Sequence, residues 1–348
     1  MKKNIGILTF PSVINHGAYL QVFALYNLLK ENGYSVTIIN YRNRKHLFNE
    51  YRALFIKKNL RSIVVNLRRF FIFRKAQKRL ELKKLITNVS NVDLSGLDVV
   101  IVGADIVWNY SSPFVGRDPI FFGQGLQGAR LISYAPSMGD SNINHDIPLY
   151  VKDNVKKNFS KISVRDENSY NLLKKIGVDS EIVLDPVLIY NFKGHEISPM
   201  IDCDYILVYA FSILQSDIDD LLSIAKERSL KIISLGFNVE YEWCDENIMS
   251  LDPLEFLGYY KGASYVFTST FHGVLFSIKY NKAFAVRMNS TIEKKVTTIL
   301  KELKLEGQVI ENSIQTCFDI KMDYRNSNLK LENLIDKSHS FLWGAING

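Results

Sequence analysis

Val266-Phe267-Thr268-Ser269-Thr270-Phe271-His272-Gly273-Val274-Leu275-Phe276-Ser277-Ile278 reads as the end of a buried strand (Ala263 to Thr268), a hydroxyl-rich turn and an apolar helix that starts at once. Open α/β sheets bind ligands outside the carboxyl ends of their strands. The N–H groups of a new helix favour an anion at such a junction. A histidine there supplies a proton or a positive charge. The competing reading is a buried histidine satisfied by a backbone carbonyl. The hydroxyls at 268 to 270 and the helix start weigh against it.

The same grammar continues on both sides. A helix over 272 to 281 leads into a strand Ala283 to Val286, and a 3.6-residue period covers Thr291 to Leu303. Upstream, Tyr205 to Phe211 is a strand and Ser216 is the expected N-cap of a helix to Arg228, supported by Asp219. Lys231 to Leu235 is a strand, and Asp252-Pro253 opens a helix to Tyr260 with proline in the favoured first turn. The first half opens as a βαβ unit: strand Lys3 to Phe10, helix Gly17 to Asn32 ending at Gly33, strand Ser35 to Asn40. Further strands are expected at Leu97 to Val102, Leu131 to Tyr134 and Lys161 to Val164, and a helix at Glu167 to Ile176.

The expected fold class is therefore α/β, with two Rossmann-like doubly wound domains facing across a cleft. The N-terminal domain spans residues 1–195 and carries a basic helical excursion at about 42–86. The C-terminal domain spans 203–325. Residues 326–348 are expected to form a helix docking back on the first domain, and Tyr190 to Asp202 reads as the linker.

A length of 348 residues suits two domains, each with its own core. No apolar run reaches the ~20 residues that span a bilayer; Ser62 to Phe73 comes nearest and is interrupted by Arg68 and Arg69. Ile5 to Phe10 is too short for a signal-peptide core. Cys203, Cys244 and Cys317 are odd in number, far apart and without metal spacing, so a reduced, cytoplasmic protein is expected. The net charge is +7, yet Arg42 to Lys84 alone carries fifteen Lys/Arg against Glu50 and Glu81, leaving the remainder net acidic. Such a band implies a local partner and not a general nucleic-acid binder.

The sequence has no G-x-G-x-x-G after its first strand, no Walker A, no G-x-S-x-G elbow and no His/Cys metal cluster. What remains are polar residues at strand ends. Asn15, His16 and Gly17 begin the first helix, with Gln21 one turn on. Gly103-Ala104-Asp105 follows a strand, where an acid serves as a base, an orienting group or an N-cap. Ser137 and Gly139 lie in the strand-end loop Ser133 to Gly139. Arg165-Asp166 ends a strand with a side chain suited to gripping a carboxylate or phosphate, or to a surface Arg–Asp pair.

This set of residues resembles the polysaccharide pyruvyl transferase family. The resemblance runs in order through Gly6 to Phe10, Asn15 to Gln21, Val102 to Asn109, Ser133 to Gly139, Ile162 to Asp166, Leu184-Asp185-Pro186 and Thr268 to Ile278. It implies a fold similar to GT-B glycosyltransferases and transfer of a pyruvyl group from phosphoenolpyruvate to a sugar, giving a cyclic ketal. The family's histidine before glycine matches His272, and its strand-end arginine matches Arg165. The chain departs from the family where Ser269 replaces an acid or amide, Thr270 a serine or arginine, Ala104 a serine, Ile106 a glutamine and Lys295 an arginine.

The candidate catalytic residues are thus His272 and Asp105. The candidate substrate-binding residues are Arg165, Asn15, Gly17, Gln21, Ser137, Thr268, Thr270, Gly273 and Lys295. No metal is expected, and no cofactor beyond phosphoenolpyruvate as co-substrate. The expected partner is a sugar acceptor, in one form lipid-diphosphate-linked, in exopolysaccharide or capsule synthesis. The basic band, interleaved with Phe48, Tyr51, Phe55, Phe70, Phe71 and Phe73, fits peripheral contact with an anionic membrane, against a plain solvated face. Nucleic acid is not an expected partner, because no reader motif accompanies the charge. The alternative function is a GT-B glycosyltransferase using a nucleotide sugar; a non-catalytic scaffold comes third.

Overall fold

The computed structural model describes residues 2–56, 58–83, 86, 92–113, 117–237, 239–320 and 324–348. Lys57 and Lys84 of the basic band lie outside the described residues. The chain divides into two compact units, one of Met1–Ile56, Arg74–Asn191 and Asn333–Gly348, the other of Lys57–Phe73 and Phe192–Glu332.

In the first unit, β1 (Asn4–Leu8) leads through α1 (His16–Glu31) to β2 (Ser35–Ile38), followed by α2 (Arg44–Phe55) and α3 (Leu60–Gln77). Short β3 (Val92–Asp93) precedes β4 (Val99–Val102); β5 (Leu126–Gln127) pairs with β3 and precedes β6 (Arg130–Ser133). Then come α4 (Leu149–Asn158), β7 (Phe159–Lys161), β8 (Ser163–Val164), α5 (Glu167–Lys175), β9 (Glu181–Ile182) and α6 (Pro186–Ile189). The main sheet has the order β2-β1-β4-β6-β7 and is parallel throughout. A parallel sheet covered on both faces needs apolar residues facing both ways. Val99, Val100, Ile101 and Val102 meet that need and are all buried.

The expected single strand Lys161 to Val164 is divided in two. Ser133 and Ser163 exchange side-chain hydrogen bonds with each other's backbone, with Ser133 Oγ donating to Ser163 O and Ser163 Oγ to Ser133 O. Those hydroxyls take over the ladder at this point, so β8 leaves the main sheet and pairs with β9.

In the second unit, β10 (Tyr205–Tyr209), α7 (Gln215–Arg228), β11 (Lys231–Leu235), β12 (Glu246–Ile248), α8 (Pro253–Gly262), β13 (Tyr265–Thr268), α9 (Phe271–Lys279) and β14 (Ala283–Val286) form a parallel sheet with order β12-β11-β10-β13-β14. Helices α10 (Ser290–Leu303) and α11 (Ile314–Asp319) complete it. Ser216 is not the N-cap of α7. The helix starts two residues earlier, behind Leu214, whose N–H is held by the Asp217 carboxylate at 2.9 Å. Asp217 thus bonds back to the N–H of the N-cap residue, as the carboxylate of a capping box does, and no side chain takes the place of the expected capping hydroxyl.

The last helix, α12 (Tyr324–Asn347), contributes its 333–348 part to the first unit. Ser338 Oγ accepts from Leu184 N at 2.9 Å, and Arg130 and Lys3 donate to the carbonyls of Ala345 and Ile346. Cations on the last carbonyls complement the negative end of the helix. Residues 58–73 of the basic excursion, by contrast, pack within the second unit. There Asn66 and Arg69 are buried and Ser250 Oγ donates to Val65 O at 3.4 Å.

Each sheet has one point where the strand order reverses: between β1 and β4 in the first, and between β10 and β13 in the second. The carboxyl ends of those strands are where doubly wound folds bind ligands. They carry Gly103-Ala104-Asp105 in one unit and Ser269-Thr270-Phe271-His272 in the other.

Candidate functional site

The site segment of the first unit forms because Gly103 lets the chain turn sharply. Its φ is 125°, and a Cβ at this position would collide with the carbonyl oxygen of Tyr134. Asp105 follows with φ 73°. No helix begins there, so Asp105 is not an N-cap. Its carboxylate accepts from Ile106 N at 2.8 Å, and its backbone oxygen accepts from Ser137 N at 2.8 Å. Thr9 Oγ1 spans the reversal point by donating to Ala104 O at 3.3 Å.

Arg165, just after β8, is buried and joins three of these elements. Its guanidinium lies 2.7 Å from Asp185 Oδ2, 3.4 Å from Gln21 Oε1 and 3.7 Å from Asp105 Oδ1. The alternative of a surface Arg165–Asp166 pair is overturned. Asp166 instead caps α5, accepting from Ser169 N at 2.8 Å. Two carboxylates around one guanidinium leave the cluster with formal charge −1. Asp105 is its accessible acid, with 14% of its side chain exposed against 1% for Asp185. Burial pushes the Asp185 carboxyl up, opposed by Arg165 and by the Val187 N–H. Gln21 is buried inside α1, and its Nε2 has no hydrogen-bond acceptor among the described residues. A buried donor left in that state costs about 1–3 kcal/mol unless a water or ligand meets it.

The remaining first-unit candidates hold the frame. Asn15 is the N-cap of α1, its side chain accepting from Ala18 N at 3.0 Å. Gly17 is buried in the first turn of the same helix. Ser137 is fully buried, and its Oγ accepts from Gly139 N at 2.9 Å.

In the second unit the hydroxyls build the turn. Thr268 Oγ1 donates to Tyr209 O at 2.6 Å, tying β13 to β10, and accepts from Thr270 N at 3.1 Å. Thr270 is the N-cap of α9, its Oγ1 accepting from Gly273 N at 2.9 Å. Ser269 Oγ accepts from both Phe211 N and Ser212 N across the reversal point. His272 is the second residue of α9, half-buried, with its ring edge-on to Phe271 at 5.1 Å. Lys295 is buried on α10.

Two predictions arise from this turn. Thr270→Ala removes the cap and is expected to cost ~1 kcal/mol, seen as a lower denaturation midpoint, while Thr270→Ser keeps it. Gly273→Ala would drive its methyl into both Thr268 Oγ1 and Thr270 Oγ1. Overpacking of that kind costs about 1–3 kcal/mol, so this variant is expected to have the lower midpoint of the two.

The structure also supplies two residues that the sequence reading left out. Asp185 is buried against Arg165 and caps α6 by accepting from Val187 N at 3.1 Å. Its signal was present in Leu184-Asp185-Pro186, an Asp before a first-turn proline. Arg287, just past β14, donates its backbone N–H to Thr268 O at 2.8 Å, and its guanidinium pairs with Asp217 in the first turn of α7. An arginine directly after a strand was the available signal.

A family model for polysaccharide pyruvyl transferase matches residues 15–291. No curated protein matches the chain. Among solved structures, Arabidopsis thaliana UGT89C1 complexed with UDP-L-rhamnose is similar with a TM-score of 0.53 at 12% identity, covering 99% of this chain and 98% of that one. UDP-GlcNAc 2-epimerase from Neisseria meningitidis bound to UDP-GlcNAc gives 0.51 at 11% identity, covering 99% and 100%. The UDP-GlcNAc 2-epimerase of Methanocaldococcus jannaschii gives 0.50 at 12%, covering 98% and 100%. At these identities the likeness concerns the fold alone, which is two Rossmann-like units of GT-B type. The family match is of a different kind. It runs from the cap of α1 to the start of α10 and takes in the reversal-point segments of both sheets, and on that ground the chain belongs to the polysaccharide pyruvyl transferase family.

Proposed function

We propose that the protein transfers a pyruvyl group from phosphoenolpyruvate to two hydroxyls of a sugar in a polysaccharide or lipid-linked oligosaccharide. The observation that supports this most is the family match across both units, with His272 at the start of α9 on one reversal point and the Asp105–Arg165–Asp185 cluster on the other.

In this reading one sugar hydroxyl adds to C2 of the enol as a proton is delivered to its methylene carbon. The second hydroxyl forms the other C–O bond while the C2–O bond to phosphate breaks. The products are the ketal and inorganic phosphate, and the two hydroxyl protons end on the new methyl group and on phosphate or solvent. His272 is assigned to protonate the departing phosphate or to offset its charge. Asp105, the accessible acid of its cluster, is assigned to take a hydroxyl proton, with Arg165 holding it in place. Gln21 presents its buried donor to an oxygen of a bound substrate. Asn15, Gly17, Ser137, Thr268, Thr270 and Gly273 set the backbone on which these groups stand. Lys295 is assigned to the anionic substrate. Phosphoenolpyruvate is the co-substrate, and the scheme uses no metal or resident cofactor.

The deciding experiment incubates the protein with phosphoenolpyruvate and a panel of saccharide acceptors. The expected result is acceptor-dependent phosphate release and a product whose NMR spectrum shows a cyclic pyruvyl ketal. Consumption of a nucleotide sugar, with phosphoenolpyruvate neither bound nor consumed, would replace this reading by the glycosyltransferase one.

A further inference from the structure

The outer face of α3 has no role in the chemistry just described. Its exposed residues over the first turns are Leu60, Arg61, Val64, Leu67, Arg68 and Phe71, and Arg74 and Lys75 continue that face. Leu60 is 83% exposed and Phe71 66%, far more than apolar side chains of this size require. At 100° per residue, Leu60, Val64, Leu67 and Phe71 fall within an arc of about 60°, a single stripe along the helix. Lys75, Arg68 and Arg61 follow on one edge of the stripe and Arg74 on the other. The opposite face packs inward through Val65, Asn66, Arg69 and Phe73. Arg61 also binds Glu240, at 2.7 Å. Besides the inward-facing Arg69, the helix carries three arginines and one lysine, and it contains no acid between Leu60 and Gln77.

We propose that this face docks on an anionic lipid surface, with the apolar stripe at the headgroup–acyl boundary and the flanking cations among the headgroups. Charge complementarity selects the occupant. A narrow apolar stripe edged by Lys/Arg on both sides, with no acid on the helix, is the pattern of a helix lying in a membrane interface. Each cation brought to an anionic leaflet strengthens binding by roughly fivefold. Among the described residues no helix is long and apolar enough to cross a membrane, so the contact is peripheral. The proposal is independent of the reaction assigned above.

The test is flotation of the full-length protein with vesicles of phosphatidylcholine alone and of phosphatidylcholine mixed with phosphatidylglycerol, at low and high salt. Binding is expected to the mixed vesicles at low salt and to be lost at high salt or on the neutral vesicles. The double variant Leu67→Asp/Phe71→Asp is expected to bind at least roughly tenfold more weakly, and Arg68→Glu to weaken binding and reduce its salt dependence. All these side chains are exposed, so the circular dichroism spectrum and melting temperature should not change. Failure to float with the mixed vesicles at low salt would overturn the proposal. So would flotation that Leu67→Asp/Phe71→Asp leaves intact, which would place the contact elsewhere. Concentration-dependent self-association abolished by that variant, without lipid binding, would instead make a second copy of the chain the occupant.

Discussion

His272→Ala is expected to lower turnover with phosphoenolpyruvate by roughly 10²–10⁴-fold, the usual worth of a positioned acid or base. The residue stands second in α9, at the strand-to-helix junction where the sheet reverses. Its side chain is half-buried, whereas the turn beneath it is built by Thr268, Ser269 and Thr270. Removing the imidazole therefore leaves the scaffold in place, and the melting temperature should stay close to that of the parent. A proton-transfer role predicts that kcat falls more than KM changes and that one limb of the pH–rate profile disappears. Near-normal turnover by His272→Ala with phosphoenolpyruvate and the right acceptor would remove the role assigned to it.

Arg165→Ala is expected to destabilise the first unit by ~3–5 kcal/mol, because it strands a buried carboxylate without its counter-charge. Asp185 is almost fully buried and lies 2.7 Å from the guanidinium. Arg165→Lys should recover little of the loss. One ammonium cannot reach acceptors that the NH1 and NH2 groups address separately. Arg165→Met combined with Asp185→Leu should recover much more, since it removes both charges together. The sign of the pH dependence follows from Asp185. Burial raises its folded pKa above the unfolded value, so the folded state holds the proton longer. Its contribution to stability is present below the ordinary carboxylate range and is lost as pH rises through the raised folded value. Without Arg165 the effect of burial is unopposed, so the loss extends to higher pH than in the parent. Denaturant midpoints measured across that range test this. A variant as stable as the parent at neutral pH would show that the cluster is not held by charge.

Much of the architecture was legible because it is written in local periodicities. Ala283 to Val286 is found as a strand with the expected ends, and α8, α9 and α10 begin within two residues of their expected starts. Local signals failed where a distant partner intervened. The Ser133–Ser163 exchange, between residues 30 positions apart, divides one expected strand. The aromatics of the basic band show the same limit. Sequence groups Phe70, Phe71 and Phe73 together, but packing buries Phe73 and leaves Phe71 in solvent.

The sequence by itself determined that the chain is α/β, that polar groups collect at its strand ends, and that His272 sits where a helix begins. Each of these follows from neighbours a few residues apart, through side-chain period, capping and turn chemistry. Tertiary structure decided which strand ends lie at a reversal point and which charges meet. Arg165 faces residues 20, 60 and 144 positions away. Strand order brings those positions together, and strand order is set by how the apolar faces of both sheets are covered. No spacing along the chain records it.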